Sequence, residues 1–136
     1  MRKRFTNTDL RFLPSFARMV GPKPPDWFKS NGASFAPDVF CGVDIRPAAH
    51  WHDYAYSPFC VVVTDRRPRT EEARYEDDQA FRLNLITCGY PSSWANVYYY
   101  RVRLWGHLHY CYTPGHEPKR TLRFWLNLLI GRYIQW

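Results

Sequence analysis

The sequence predicts a single, mainly α-helical domain with short β segments. Three observations carry that expectation. Windows 47–56 and 71–88 each open on a helix-start signal and close on a breaker. Window 92–106 places Trp94, Val97, Tyr98 and Trp105 on one side at helical spacing. The chain of 136 residues is long enough for one real core, and it contains no internal repeat or low-complexity tract.

Composition narrows the function classes. Apolar content is ordinary at 46%, but aromatic content reaches 18%, with 6 Trp and 10 Tyr. Such side chains are apolar at one end and polar at the other, which suits both cores and interfaces. The formal net charge is +7. Basic residues gather near the start (Arg2, Lys3, Arg4, Arg11) and near the end (Lys119, Arg120, Arg123, Arg132), around an acidic block at Glu71, Glu72, Glu76, Asp77 and Asp78. A basic surface attracts anionic lipid, nucleic acid or an acidic protein, or is only a solvated face. No nucleic-acid recognition motif occurs, so nucleic acid is not an expected partner. The cysteines Cys41, Cys60, Cys88 and Cys111 are far apart, with no C-x-x-C. No signal-peptide h-region or bilayer-length apolar run is found, so a chain made in a cytosol with reduced thiols is expected.

Taken in order, residues 1–30 hold Pro14, Pro22, Pro24 and Pro25 and read as a basic, irregular or extended arm with short strands at most. The arm can lie on a partner or form a layer over the core. Asn31-Gly32-Ala33-Ser34 is a turn signal, and Ala36-Pro37-Asp38 continues the loop. The stretch from Pro47 to Tyr56 reads as a helix, with Asp44 placed to cap it. His52 and Asp53 are neighbours on it and diverge by about 100°, while Tyr56 returns to the His52 face. Ser57-Pro58 ends this helix, and Cys60–Thr64 has strand composition.

Residues 71–88 read as a second helix with acids in its first turns, where the macrodipole favours them, and with Gly89 as its stop. Asp78, Phe81 and Leu85 share a stripe, so Asp78 needs a partner. For 92–106 a strand reading stays open, because Tyr98, Tyr100, Val102 and Leu104 alternate with Arg101 and Arg103. On the helical reading Ser92 or Ser93 caps the start and Gly106 ends it. His107–Tyr112 alternates as a strand, putting His107, His109 and Cys111 on one face with His116 nearby, so a metal site can be drawn there, although structural histidines are far commoner. In 120–136, Leu122, Trp125, Leu126, Leu129 and Ile130 make a stripe that docks on the core or on a partner, and Gly131 breaks it.

Together these pieces resemble a family of small phage proteins of unknown function. Its pattern runs D-G-A-S, A-A-x-x-H-D-Y, D-x-x-F and Y-x-V-R-L-F-G. Here the corresponding stretches are Asn31–Ser34, Ala48–Tyr54, Asp78–Phe81 and Tyr100–Gly106, and the likeness spans roughly residues 31–106. More distantly, the order of elements is similar to the phospholipase A2 superfamily in its short prokaryotic and fungal branch. The resemblance implies a phospholipase A2-like core of three helices over 31–106, a basic arm over 1–30, and a strand plus amphipathic stretch over 107–136. It also favours helix for 92–106.

The same resemblance implies roles. His52 would be the general base that takes a proton from an attacking water. Asp78 would accept from the other ring nitrogen, and Tyr56 would hold Asp78 in place. Asp53 would bind Ca²⁺, together with the Gly32 carbonyl and the loop residue Asn31. Two departures bear on this. Asn31 stands where the pattern often has Asp, and Ala48-Ala49 replaces the cysteines that brace this helix in secreted relatives. Two functions follow as expectations. One is a calcium-dependent lipid esterase acting on anionic phospholipid membranes. The other is a catalytically inactive structural or interaction protein, a tail or baseplate component that contacts other virion proteins or its own copies. Either would place the chain in a virion or in host cytoplasm.

Overall fold

The structure is a computed structural model and describes residues 4–30, 39–40, 42–60 and 68–133. The protein is mainly helical. A short α1 (Asn7–Leu10) and a 3-10 turn (Pro14–Arg18) precede an antiparallel pair of strands, β1 (Val39–Phe40) and β2 (Val43–Asp44), in which Val39 faces Asp44 and Phe40 faces Val43. The helices described after it are α2 (Arg46–Tyr56), α3 (Glu71–Thr87), α4 (Ser92–Trp105) and α5 (Leu122–Ile130). Among the described residues no helix is long and apolar enough to cross a membrane.

Local chemistry explains the helix bounds. At the start of α2, the Asp44 carboxylate accepts from the Arg46 backbone N–H at 3.0 Å and pairs with its guanidinium at 2.6 Å, while Ile45 holds the cap position itself. Thr70 caps α3 by accepting from the Ala73 N–H at 3.2 Å. That helix closes in a Schellman turn. Gly89 adopts φ +107 and donates to the Ile86 carbonyl, and Tyr90 donates to that of Leu85.

The core joins the arm to α2, α3 and α4. Phe5, Leu10, Phe16 and Met19 from the arm meet Ile45, Ala48 and Trp51 of α2, Phe81 and Leu85 of α3, and Ala95, Tyr98 and Val102 of α4. Of the two readings of the arm, the structure therefore has the layer over the core. Helix α3 packs against both α2 and α4. A smaller cluster joins Phe28, Tyr54 and Cys60. Cys88 and Cys111 are free thiols.

Several expectations are corrected. The arm is not merely extended. Its α1 starts where the Thr6 N–H donates to the Asp9 carboxylate at 3.0 Å, and among its described residues only an isolated bridge, Phe5 to Ser30, is strand-like. Neither Ser92 nor Ser93 caps α4, because both fall inside it and Pro91 holds the cap position. The buried side of α4 is Ala95, Tyr98, Tyr99, Val102 and Arg103, whereas Trp94, Val97 and Trp105 are exposed. His107–Tyr112 is not a strand. The chain passes from α4 into a 3-10 turn (Gly106–Leu108), and the Tyr110 N–H still donates back to the Gly106 carbonyl. In α5 the expected core stripe faces outward, and Phe124, Asn127 and Leu128 are the residues that dock. The turn at 31–34 and the loop at 36–38 lie outside the described residues, as does the strand expected across 60–64 except for Cys60, which is helical.

Candidate functional site: a buried His–Asp–Tyr network

Helix α2 carries two histidines to opposite fates. His50 is fully buried, and both its nitrogens are occupied: Nδ1 bonds the Ser30 hydroxyl at 2.6 Å and Nε2 the Asn7 side-chain oxygen at 2.9 Å. Burial lowers its pKa to about 4, against a small upward pull from Asp9. It is a structural histidine.

His52 faces the other way. Its Nε2 lies 2.9 Å from Asp78 Oδ1, and the Tyr56 hydroxyl donates to the same oxygen at 2.6 Å. The His52 ring stacks on Phe81 at 4.4 Å between centroids and leans on Tyr56 at 4.3 Å. The sequence stripe thus delivers three of its named residues to one place: His52 and Tyr56 one helical turn apart on α2, and Asp78 from α3. A carboxylate is an acceptor only, so Nε2 carries the proton and the lone pair of a neutral ring sits on Nδ1.

Sequence reasoning missed what surrounds Asp78. Its second oxygen accepts from Arg74 Nη1 at 3.2 Å and from Arg103 Nη1 at 2.9 Å, and both arginines are fully buried. Glu71 binds the same two cations, through Arg74 Nε at 2.7 Å and Arg103 Nη2 at 2.8 Å, and it accepts from the Tyr112 hydroxyl at 2.6 Å. Two buried guanidiniums therefore balance two carboxylates. Burial by itself pushes the Asp78 carboxyl up, but the His52 hydrogen bond and the charges of His52, Arg74 and Arg103 outweigh it and hold the carboxyl below its usual value. Burial first, and then the Asp78 charge, push the Tyr56 phenol well up, so it stays a neutral donor. One signal was available in the sequence: Glu71, Arg74 and Asp78 lie at i, i+3 and i+7 on one helix face.

Arg74 also reaches α4, donating to the carbonyls of Val102 at 2.9 Å and Arg103 at 3.0 Å in its last turn, where the Val102 carbonyl accepts from the Gly106 N–H as well. Gly106 makes this approach feasible. A Cβ there would lie 2.5 Å from the Tyr56 hydroxyl. Glycine is thus required by close packing, since its backbone is right-handed at φ −63.

The arm closes the open side of His52. A cavity of about 10 Å³ lies beside the ring, lined by Trp51 and Ala55, by Asp77, Ala80 and Asn84, and by Val20, Gly21 and Pro22 of the arm. It has room for about one water. Buried Asn84 straps the arm down, accepting from the Val20 N–H at 2.8 Å and donating to its carbonyl at 2.9 Å. Gly21 takes φ +103 at this crossing, with Ala80 directly beneath.

Of the candidate metal ligands, Asp53 is half-buried on α2, next to His52 and turned away from the cavity lining. Its carboxylate is a hard oxygen donor of the kind Ca²⁺ takes. Asn31 and Gly32 lie outside the described residues. The metal site drawn from His107, His109, Cys111 and His116 is not assembled. His107 is buried edge-on against Phe124 and Trp125, and His109 and His116 are exposed. Among the described residues no group of three or more His, Cys, Asp and Glu gathers for a metal. No known protein family, curated protein or solved structure matches the chain.

Proposed function

We propose that this is a phage-type, virion-associated protein of phospholipase A2-like fold that hydrolyses lipid esters with calcium. It would act from the tail or baseplate, or within host cytoplasm. The observation that supports this reading is the His52–Asp78–Tyr56 network. The imidazole is held in one orientation, Nε2 toward a carboxylate that is itself fully bonded, and Nδ1 is left for a water. In this mechanism His52 Nδ1 takes the proton of a water as it attacks an ester carbonyl. Asp78 then stabilises the imidazolium, which returns the proton to the alcohol oxygen as the tetrahedral intermediate collapses and the ester C–O bond breaks, and Tyr56 and the two arginines keep Asp78 from turning. Asp53, with Gly32 and Asn31 of the preceding loop, would hold Ca²⁺, which when bound supplies positive charge to polarise the carbonyl.

A second reading is a catalytically inactive scaffold of the same fold that binds other virion proteins. It is favoured by the size of the His52 cavity, which at about 10 Å³ admits no lipid while the arm is strapped down.

Fatty-acid release from mixed anionic and zwitterionic vesicles separates the two, run with Ca²⁺ and with chelator beside His52→Ala. The esterase reading expects calcium-dependent release that falls about a hundredfold or more in the variant. No release from the folded chain at any calcium concentration would leave the scaffold.

A further inference from the structure

We infer that the outer face of α5 is a docking surface for an anionic phospholipid bilayer. The argument begins with the helix itself. Its inner face, Phe124, Asn127 and Leu128, is buried against the protein. The opposite face holds Leu122 at 73% exposure, Trp125 at 41%, Leu126 at 37%, Leu129 at 64% and Ile130 at 44%. Its one polar uncharged residue, Asn127, is turned inward. A helix apolar on both sides belongs in an interior or at an interface. Next to it, Trp105 and Leu108, both exposed, flank His107, whose ring lies 5.4 Å from Trp125.

Charge selects the occupant. Arg123 is exposed on the flank of this face, and Lys119, Arg120 and Arg132 are exposed at the two ends of the helix. After Asp78 the chain contains a single acidic residue, Glu117. A second copy of the chain would bring two such basic rims together, which like-charge repulsion opposes. An anionic lipid surface complements the rim and takes up the apolar stripe. A short helix of Leu, Ile and Trp bordered by Arg and Lys has the composition of one that lies in the headgroup plane. The choice of lipid as partner rests on the proposed function; the exposed stripe and its rim do not.

Co-sedimentation of the whole chain with vesicles tests this, using phosphatidylcholine alone and phosphatidylcholine mixed with phosphatidylglycerol. The expected result is binding that requires the anionic lipid, weakens with added salt and is at least about tenfold weaker in Leu129→Glu. Paired Arg120→Glu and Arg123→Glu changes on the exposed rim give an independent reading, with about a fivefold loss for each basic residue. His52→Ala is expected to bind as the unaltered chain does, so failure of the chemistry and failure of docking are told apart. Equal binding to both vesicles, no binding, or binding unaffected by Leu129→Glu would overturn the inference. So would light scattering that shows a dimer which Leu129→Glu dissolves, since the face would then be a self-interface.

Discussion

Two histidines on one helix, two residues apart, show how little residue type decides. His50 is closed on both sides by neutral partners, Ser30 and Asn7, and is held uncharged. His52 is closed on one side only, by a carboxylate embedded among two arginines, and its other side faces a water-sized cavity. The first arrangement only stabilises. The second leaves a ring edge beside a cavity with room for a water. What separates them is the neighbouring element: the arm residues Asn7 and Ser30 for His50, the middle of α3 for His52.

The strongest way to break the comparison is Arg103→Met. It leaves Glu71 and Asp78 sharing one buried cation, and breaking a buried pair costs about 3–5 kcal/mol. Urea unfolding is expected to show that loss, while the His50 side keeps its bonds to Ser30 and Asn7.

A smaller effect separates the two histidines by pH. The His50 pKa is lowered to about 4 in the folded chain, against 6.5 as its ordinary value. Its neutral form is therefore the stabilising one. That contribution is fully present above pH 6.5 and is lost as pH falls toward 4, to a total of about 3 kcal/mol. Asp78, whose pKa is lowered, adds loss in the same direction at more acidic pH. Stability measured between neutral and mildly acidic pH is expected to fall, and His50→Gln is expected to flatten that slope. A slope unchanged by His50→Gln would show that His50 does not carry it.

The gentlest change sharpens the contrast. Asn84→Ala removes both bonds to Val20 and is expected to cost about 1–2 kcal/mol. It should raise the reaction rate of His52 with a histidine acylating reagent, read by mass spectrometry, and leave His50 unreactive. If His52 stays as protected as before, the arm is not what closes the cavity.

The sequence made the helices legible where start signals and breakers framed them, as at the acidic first turns and Gly89 of α3. It also made legible the residues that helical spacing joins, His52 with Tyr56 and Asp78 with Phe81. Periodicity failed where both sides of a helix are apolar. In α5 two stripes compete, and only tertiary packing selected Phe124 and Leu128 over Leu126 and Leu129. It failed again for Arg74 and Arg103, because a charged residue is read as solvated until a buried partner from another helix is known. Asn84 gave no signal as a strap, since its partners are backbone atoms 64 residues away.

Arg74 has one more consequence. Apolar side chains let packed helices slide a fraction of a turn at little cost, but hydrogen bonds have narrow limits of length and angle. Helix α4 cannot shift along α3 without pulling the carbonyls of Val102 and Arg103 out of the Arg74 fork, and the bare backbone of Gly106 rests against Tyr56 of α2. The three helices are thus fixed in axial position as well as in angle, as a keyed joint is. The key sits next to the carboxylate that orients His52.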